Sequence, residues 1–314
     1  MSKERSDLQR LKLRDRMVQF ISADKRYQLA ILNFSHIAND SIGKHNLTSL
    51  SGYLLSKMMA ATLLATANLK SEERIVAKLN CDGPSGTIHA EANALGEVRG
   101  YISNRALMPS SASSKAGLLA TENAAIGLGT LSISKIIYGR ATPVTGFIEF
   151  SGQGIIQAFA DYYKLSEQIE TVVKIDLKMD ETLNNGLVNY SEAVALQLQL
   201  LPQFQNDNAD VAQSKLNKAI TNTPNLSDFI ADDIYIDQFP DLIFPDFLFR
   251  EIQRKNIDFF CRCNKDKFMN SLLLLGKNEL QSMVKEEKEQ VLQCHFCSSI
   301  YRFSKTELKE LIQD

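Results

Sequence analysis

Between residues 47 and 69 apolar side chains recur with a helical period, Leu50, Leu54, Met58, Leu63, Leu64 and Leu69 standing among Ala and Ser. The pattern predicts a mostly buried helix with Asn46 as its N-cap. Downstream come short segments of strand character, at 74–80, 86–92, 97–103, 128–138 and 143–150. Asp82-Gly83-Pro84-Ser85-Gly86 and Ser151-Gly152-Gln153-Gly154 separate them with tight-turn chemistry, glycine supplying positive φ and proline fixing φ. A helix over 155–168 and strands near 171–178 and 193–201 complete the pattern. Helices and mostly antiparallel strands in segregated runs predict an α+β domain over residues 1–202, an antiparallel sheet with packed helices.

After Pro202 the pattern changes. Residues 203–209 are polar, 211–220 suit a modest helix, and 232–260 interleave Tyr235, Phe239, Phe244, Phe247, Phe249, Phe259 and Phe260 with Asp237, Pro240, Asp241, Pro245 and Asp246. The prolines interrupt regular structure while the aromatics are costly to leave in water, so segment 232–260, most of it within a linker placed at 203–258, is expected to lie over another surface. Two readings stay open: a structural wrap between domains, or a metastable linker that detaches for function. A small C-terminal domain over 259–314 is marked by Phe268, Leu272 and Leu275, by Leu280, Met283 and Val284 beyond a break at Gly276, and by a last helical stretch over 301–312.

This last domain holds four of the five cysteines, as the close pairs Cys261-Arg-Cys263 and Cys294-His-Phe-Cys297. Four thiolates suit a soft divalent ion in a tetrahedron, and one Zn2+ per chain is expected. A closed four-sulfur shell argues against hydrolysis, for which zinc keeps a position open to water. His295, between two ligands, is the alternative donor. Such a site is either a structural knot or a switch, since close thiol pairs are also the ones most able to bridge once a metal leaves. Cys81 stands apart, and its neighbours Val76, Ala77 and Leu79 suggest a small buried hydrophobe rather than a reactive thiol.

Composition narrows the function classes. At 314 residues, 44% hydrophobic and 23% charged, the chain is an ordinary globular protein, and its net charge of −2 gives no global drive toward nucleic acid or an anionic membrane. The charged amino terminus lacks the apolar stretch of a signal peptide, and no run approaches the roughly eighteen apolar residues of a membrane span, so a cytoplasmic location is expected. There, paired cysteines are metal-bound or redox-sensing rather than permanently bridged.

No catalytic set is visible. Gly127-Leu-Gly129 fails as a dinucleotide fingerprint because Ser132 and strand-like residues follow it, and neither a P-loop nor a G-x-S-x-G elbow occurs. His36, His45 and His89 have no obvious nucleophile beside them and are expected at the surface or in caps. Between Arg250 and Lys267 six Lys or Arg face three acidic residues, which supports an alternative reading as a zinc-ribbon nucleic-acid-binding protein. Arg262, Lys265 and Lys267 would equally offset the net −2 of four thiolates around a divalent ion. A thiol oxidoreductase using Cys294 and Cys297 lacks the strand-then-helix context of such motifs.

The terminal cysteine pairs occur together with Leu79-Asn-Cys-Asp-Gly-Pro84, Gly96-Glu-Val-Arg-Gly-Tyr101, Asp161-Tyr-Tyr-Lys-Leu-Ser-Glu-Gln168, Leu63-Leu-Ala-Thr-Ala-Asn-Leu-Lys70 and Cys294-His-Phe-Cys-Ser-Ser-Ile-Tyr-Arg-Phe303. In this order, over nearly the full chain, they resemble the redox-regulated thirty-three-kilodalton heat-shock chaperones, which are bacterial holdases. The chain departs from the family pattern at Asn264, where Ser is frequent, at Cys81, where Gly is common, and in its charged amino-terminal extension.

The resemblance implies a non-enzymatic, ATP-independent chaperone of the oxidative stress response. Its reduced form would hold zinc through Cys261, Cys263, Cys294 and Cys297 and be inactive. Oxidation would then bridge Cys261 with Cys263 and Cys294 with Cys297, release the metal and unfold the linker. The implied partners are unfolding client proteins and, in the active state, a second copy of the chain, with neither nucleic acid nor membrane.

Overall fold

The computed structural model describes residues 14–108, 117–180, 189–204, 209–232, 234–286 and 289–313. Along the chain β1 (Arg16–Ile21) and β2 (Tyr27–Asn33) form a hairpin, followed by α1 (Ser35–His45) and α2 (Ser49–Leu64). A meander of β3 (Arg74–Cys81), β4 (Ile88–Asn93) and β5 (Glu97–Ile102) leads to α3 (Leu118–Ile126) and the hairpin of β6 (Gly129–Ile136) and β7 (Val144–Phe150). Helix α4 (Ile155–Tyr162) precedes the long pair β8 (Thr171–Met179) and β9 (Tyr190–Leu200). Then come α5 (Ala209–Thr221), α6 (Leu226–Ala231), α7 (Phe239–Ile243), β10 (Arg250–Asn256) and β11 (Asp258–Phe259). The chain divides into two compact units, one ending at Phe259 and one beginning at Phe260. The second contains α8 (Lys265–Leu273), α9 (Lys277–Lys285), the hairpin of β12 (Gln290–Gln293) and β13 (Ile300–Phe303), and α10 (Lys305–Gln313).

The first unit is built on two sheets, and its α+β class is the one the sequence predicts. One sheet has the order β10-β1-β2-β9-β8 and is antiparallel throughout; the other, β11-β5-β4-β3-β6-β7, is antiparallel except for the β11–β5 pair. Helix α2 lies between them, touching β4 and β5 of one sheet and β2, β8 and β9 of the other. Every residue of α2 except Ser49 and Tyr53 is buried, as a helix apolar on all sides requires. Its approach to β5 is close: a Cβ on Gly100 would stand 3.1 Å from Leu55 Cδ1 and 3.3 Å from Met59 Cγ. The single cation within the helix, Lys57, is buried and paired with the buried Glu122 of α3, whose other oxygen accepts the Ile155 amide at 2.6 Å.

Strands β1, β2 and β9 are apolar on both faces. Met17, Ala30, Leu32, Ala193 and Ala195 join the core around α2, whereas Val18, Phe20, Leu29, Ile31, Val194, Leu196 and Leu198 point the other way. Leu216, Leu226, Ile230, Ile236, Phe239, Phe244 and Phe247 cover that second face. The covering layer is pinned by polar contacts: Lys174 Nζ donates to Thr223 O and Pro224 O, the Ala23 amide to Phe247 O, and Asp237 pairs with both Arg16 and Arg254.

Several elements differ from the sequence expectation. Asn46 does not cap α2; it ends α1 in the left-handed conformation at φ 53°, which Asn tolerates, and Thr48 precedes α2. The α1 helix itself went unread because its start is capped from 21 residues upstream, Asp15 accepting the His36 and Ile37 amides. The helix expected over 155–168 stops at Tyr162 and continues as one π turn, Tyr163–Glu167. Residues 250–256, placed in an irregular aromatic segment, form the edge strand β10, whose charged alternation disguises it. His45 is buried edge-on to Phe259, not at the surface, because it lies on the inward side of the last turn of α1. The charged extension at residues 1–13 lies outside the described residues.

The second unit has a small core of Leu272, Leu280, Phe303, Leu308 and Leu311. The stretch expected as one helix over 301–312 is a strand and a helix divided at Ser304. There Ser304 and Glu307 cap each other's amides, a capping box that starts α10.

Candidate metal centre

Two local structures carry the cysteines. Cys261 and Cys263 lie on the irregular segment entering α8, whose N-cap Asn264 accepts the Lys267 amide at 2.9 Å. Asparagine does here what serine would do at an N-cap. Cys294 and Cys297 occupy the turn between β12 and β13, closed by Cys294 N to Ser299 O at 2.9 Å and Ser298 N to Cys294 O at 2.8 Å. Ser298 takes the left-handed conformation that this tight turn demands, at φ 59°.

The four sulfurs lie within 4.8 Å of one another, and among the described residues they form the one cluster of donors able to hold a metal ion. Cys261 Sγ is 3.7 Å from Cys294 Sγ, and Cys263 Sγ is 3.3 Å from Cys297 Sγ. A tetrahedral shell with metal–sulfur bonds of about 2.3 Å separates its sulfurs by about 3.8 Å, so the donor set fits a single ion of zinc size. All five cysteines are unbridged. Cys294 and Cys297 are buried and Cys261 and Cys263 half-buried, which shields the cluster from bulk water on the hairpin side.

The thiols are electrostatically unequal. Desolvation pushes Cys263 up and drives Cys294 to about 12, whereas at Cys297 desolvation is outweighed by hydrogen bonds with Ser299 and the value falls to about 7. The Tyr301 hydroxyl donates to Cys263 Sγ at 3.1 Å, and this bond lifts the Tyr301 phenol to about 12. The sequence places Tyr301 both at the start of a helical stretch and inside the Cys294–Phe303 motif, without a contact to sulfur; in the structure it lies in β13, four residues beyond Cys297. The neighbouring cations have engagements of their own: Lys265 with Glu307 at 2.5 Å, Lys267 with the Arg262 carbonyl at 2.6 Å, and the Arg262 guanidinium over the Phe260 ring. His295 lies outside the sulfur cluster. Cys81 is half-buried at the margin of the main core, its thiol donating to Gly86 O at 2.6 Å and raised by desolvation.

Residues 15–304 match the family model described as Hsp33 protein. The chain belongs to the Hsp33 family. Among its relatives are proteins named 33 kDa chaperonin. That of Desulforamulus reducens is 28% identical over 302 residues, covering 96% of this chain and 98% of the relative. That of Streptococcus thermophilus is 28% identical over 300 residues, covering 96% and 100%. The crystal structure of the 33 kDa chaperonin (heat shock protein 33 homolog) of Thermotoga maritima matches the fold with a TM-score of 0.80 at 24% identity, over 95% of this chain and 97% of that one. The resemblance carried by the short motifs is therefore a family relationship. Within the Hsp33 fold, the described residues include no helix long and apolar enough to cross a membrane.

Proposed function

We propose that this protein is an ATP-independent chaperone of the holdase type, silent while Cys261, Cys263, Cys294 and Cys297 hold zinc and active once they are oxidised. The observation that carries the reading is the convergence of those four sulfurs within 4.8 Å in a chain of the Hsp33 family. When bound, the ion supplies a cross-link between the segment entering α8 and the β12–β13 turn. A unit of this size with five buried core side chains is too small to be secure unaided, and structural zinc contributes about 10–16 kcal/mol in comparable small sites.

In the reduced state the thiolates are both ligands and oxidisable nucleophiles. With peroxide as oxidant, two thiols and one peroxide give one disulfide and two waters, so two such steps consume the whole ligand set. The proposed bridges are Cys261–Cys263 and Cys294–Cys297. Sulfurs of different pairs stand as close as 3.7 Å, Cys261 to Cys294, and 3.3 Å, Cys263 to Cys297, so bridging within each pair is the pairing the family resemblance implies rather than one these distances select.

Residues 259–314 then act as the redox-switch domain, 203–258 as the metastable linker and 1–202 as the chaperone domain. Release of the linker uncovers Val18, Phe20, Leu29, Ile31, Leu196 and Leu198. This contiguous apolar surface suits unfolding or oxidatively damaged proteins. The active form is a cytoplasmic homodimer that catalyses no reaction. Treating zinc-loaded protein with peroxide at mildly raised temperature should release one zinc per chain, form the two bridges in peptide maps, and suppress aggregation of a denaturing client. Zinc release without aggregation suppression would overturn the switch, and bridges across the pairs would overturn the assignment of partners.

A further inference from the structure

Segment 203–258 covers one face of the five-stranded sheet and, through β10, also closes its edge. In the order β10-β1-β2-β9-β8, β10 is the outermost strand and β1 lies directly behind it. Six residue pairs join the two, from Arg16 with Asn256 to Ile21 with Arg250, and the register shifts so that Ile252 has no opposite residue. Strand β1 is buried from Arg16 to Phe20, Met17 belonging to the core around α2 and Val18 and Phe20 to the other core.

The side chains of β10 do little to hold it there. Six of its seven residues are exposed, and its one large apolar side chain, Ile252, stands at the bulge. Arg254 pairs with Glu251 at 2.7 Å and with Asp237 at 2.8 Å, but these are surface ion pairs, which add little. The remaining residue, Lys255, opposes the fully buried Met17 and is largely enclosed, its Nζ donating to Ala94 O at 2.9 Å. Desolvation lowers that ammonium to about 8, so its burial works against docking.

What remains is the main-chain ladder, and every residue but proline carries the groups it needs. An edge filled in this way accepts strands of widely different sequence, as in recognition by strand addition. A segment with an apolar residue in the place of Lys255 fits it better than β10 does. While β10 stays in place, its charges and its bulge blunt the sheet against unwanted pairing. We propose that β10 is a displaceable plug, and that the β1 edge it vacates takes up an extended segment of an unfolding polypeptide as a replacement strand. This role rests on the proposed release of segment 203–258 and specifies how a client is gripped, by main-chain hydrogen bonds at the edge beside the uncovered apolar face.

Amide exchange along β1, followed by NMR in the full-length protein, reads the edge directly. Alternate amides of a strand face opposite neighbours, so those turned to β2 serve as an internal control. The amides turned to β10 should be protected in the reduced, zinc-loaded protein, exchange at least about tenfold faster after peroxide, and regain protection when a denaturing client is added. A synthetic peptide of residues 249–257 carrying Lys255→Met should restore the same protection and bind about tenfold more tightly than the unaltered peptide, since it spares a desolvated ammonium. Reduced Lys255→Glu protein, in which a carboxylate would face the Ala94 carbonyl, should take up that peptide without oxidant, which tests the edge apart from the redox switch. Suppressed client aggregation while those amides keep exchanging would overturn the edge role and leave the chaperone reading intact. Protection of β1 by the peptide without any suppression of aggregation would sink the chaperone reading and leave the edge role standing. A peptide that protects β1 in neither form would overturn the edge role, as would protection in oxidised protein before any client is added, the occupant then being β10 itself or a second copy of the chain.

Discussion

Tyr301 donates to a sulfur of the four-cysteine cluster without belonging to it, and at metal sites hydrogen bonds of this kind tune affinity by about 10–100-fold. Tyr301→Phe is therefore expected to weaken zinc retention by about tenfold in competition with a chromophoric chelator. Cys297→Ser, which replaces a soft ligand with a poor one, should weaken it much further. Lys255 poses a different question. It is largely enclosed, with Nζ donating to Ala94 O at 2.9 Å and no carboxylate paired with it among the described residues, and desolvation lowers it from 10.5 to about 8. Between those values the released strand binds more protons than the docked one, so docking strengthens as pH rises from 8 to 10.5 and is weakest below 8. Lys255→Met should then stabilise the first unit by about 2 kcal/mol at pH 7, with the gain shrinking toward pH 10. Urea midpoints measured across that range test the sign. The sequence pointed to the four clustered cysteines through their spacing but not to these two residues, because the contacts of Tyr301 and Lys255 come from neighbours distant along the chain.

At the scale of elements, legibility followed locality. Helix α2 and strands β3 to β9 were readable because each carries its own period. β10 was not: its alternation of Arg, Glu, Gln and Lys contains one large apolar residue, Ile252, and its strand state is imposed by pairing with β1. Likewise the aromatic segment announced that it needed a surface without saying which one. In the structure that surface is the outer face of β1, β2 and β9, with Phe239 fully enclosed and tilted against Phe229. Phe239→Ala should cost about 3–5 kcal/mol if the covering layer and the sheet unfold together. If the layer opens by itself, the loss appears as faster proteolysis between α5 and β10 with the main unfolding transition unmoved. Under the proposed function this variant should also suppress client aggregation with less oxidant.

At the scale of the whole molecule, the two units have cores of very different size, and only the smaller contains the cysteine cluster. Stripping zinc from the reduced protein with a chelator is expected to abolish hydrogen-exchange protection in α8, α9, α10 and the β12–β13 hairpin while α2 stays protected. Loss of protection in α2 as well would mean that the units unfold as one. The asymmetry bears on strands β1, β2 and β9, whose two faces belong to different cores. A sheet greasy on a single side collapses when that side is wetted. These strands would still be held by Leu32, Met17 and Ala195 against α2 after losing everything on the opposite side. Under the proposed function, shedding one hydrophobic layer would leave a rigid, ready-made adhesive plate, where most folds would offer only a disordered chain.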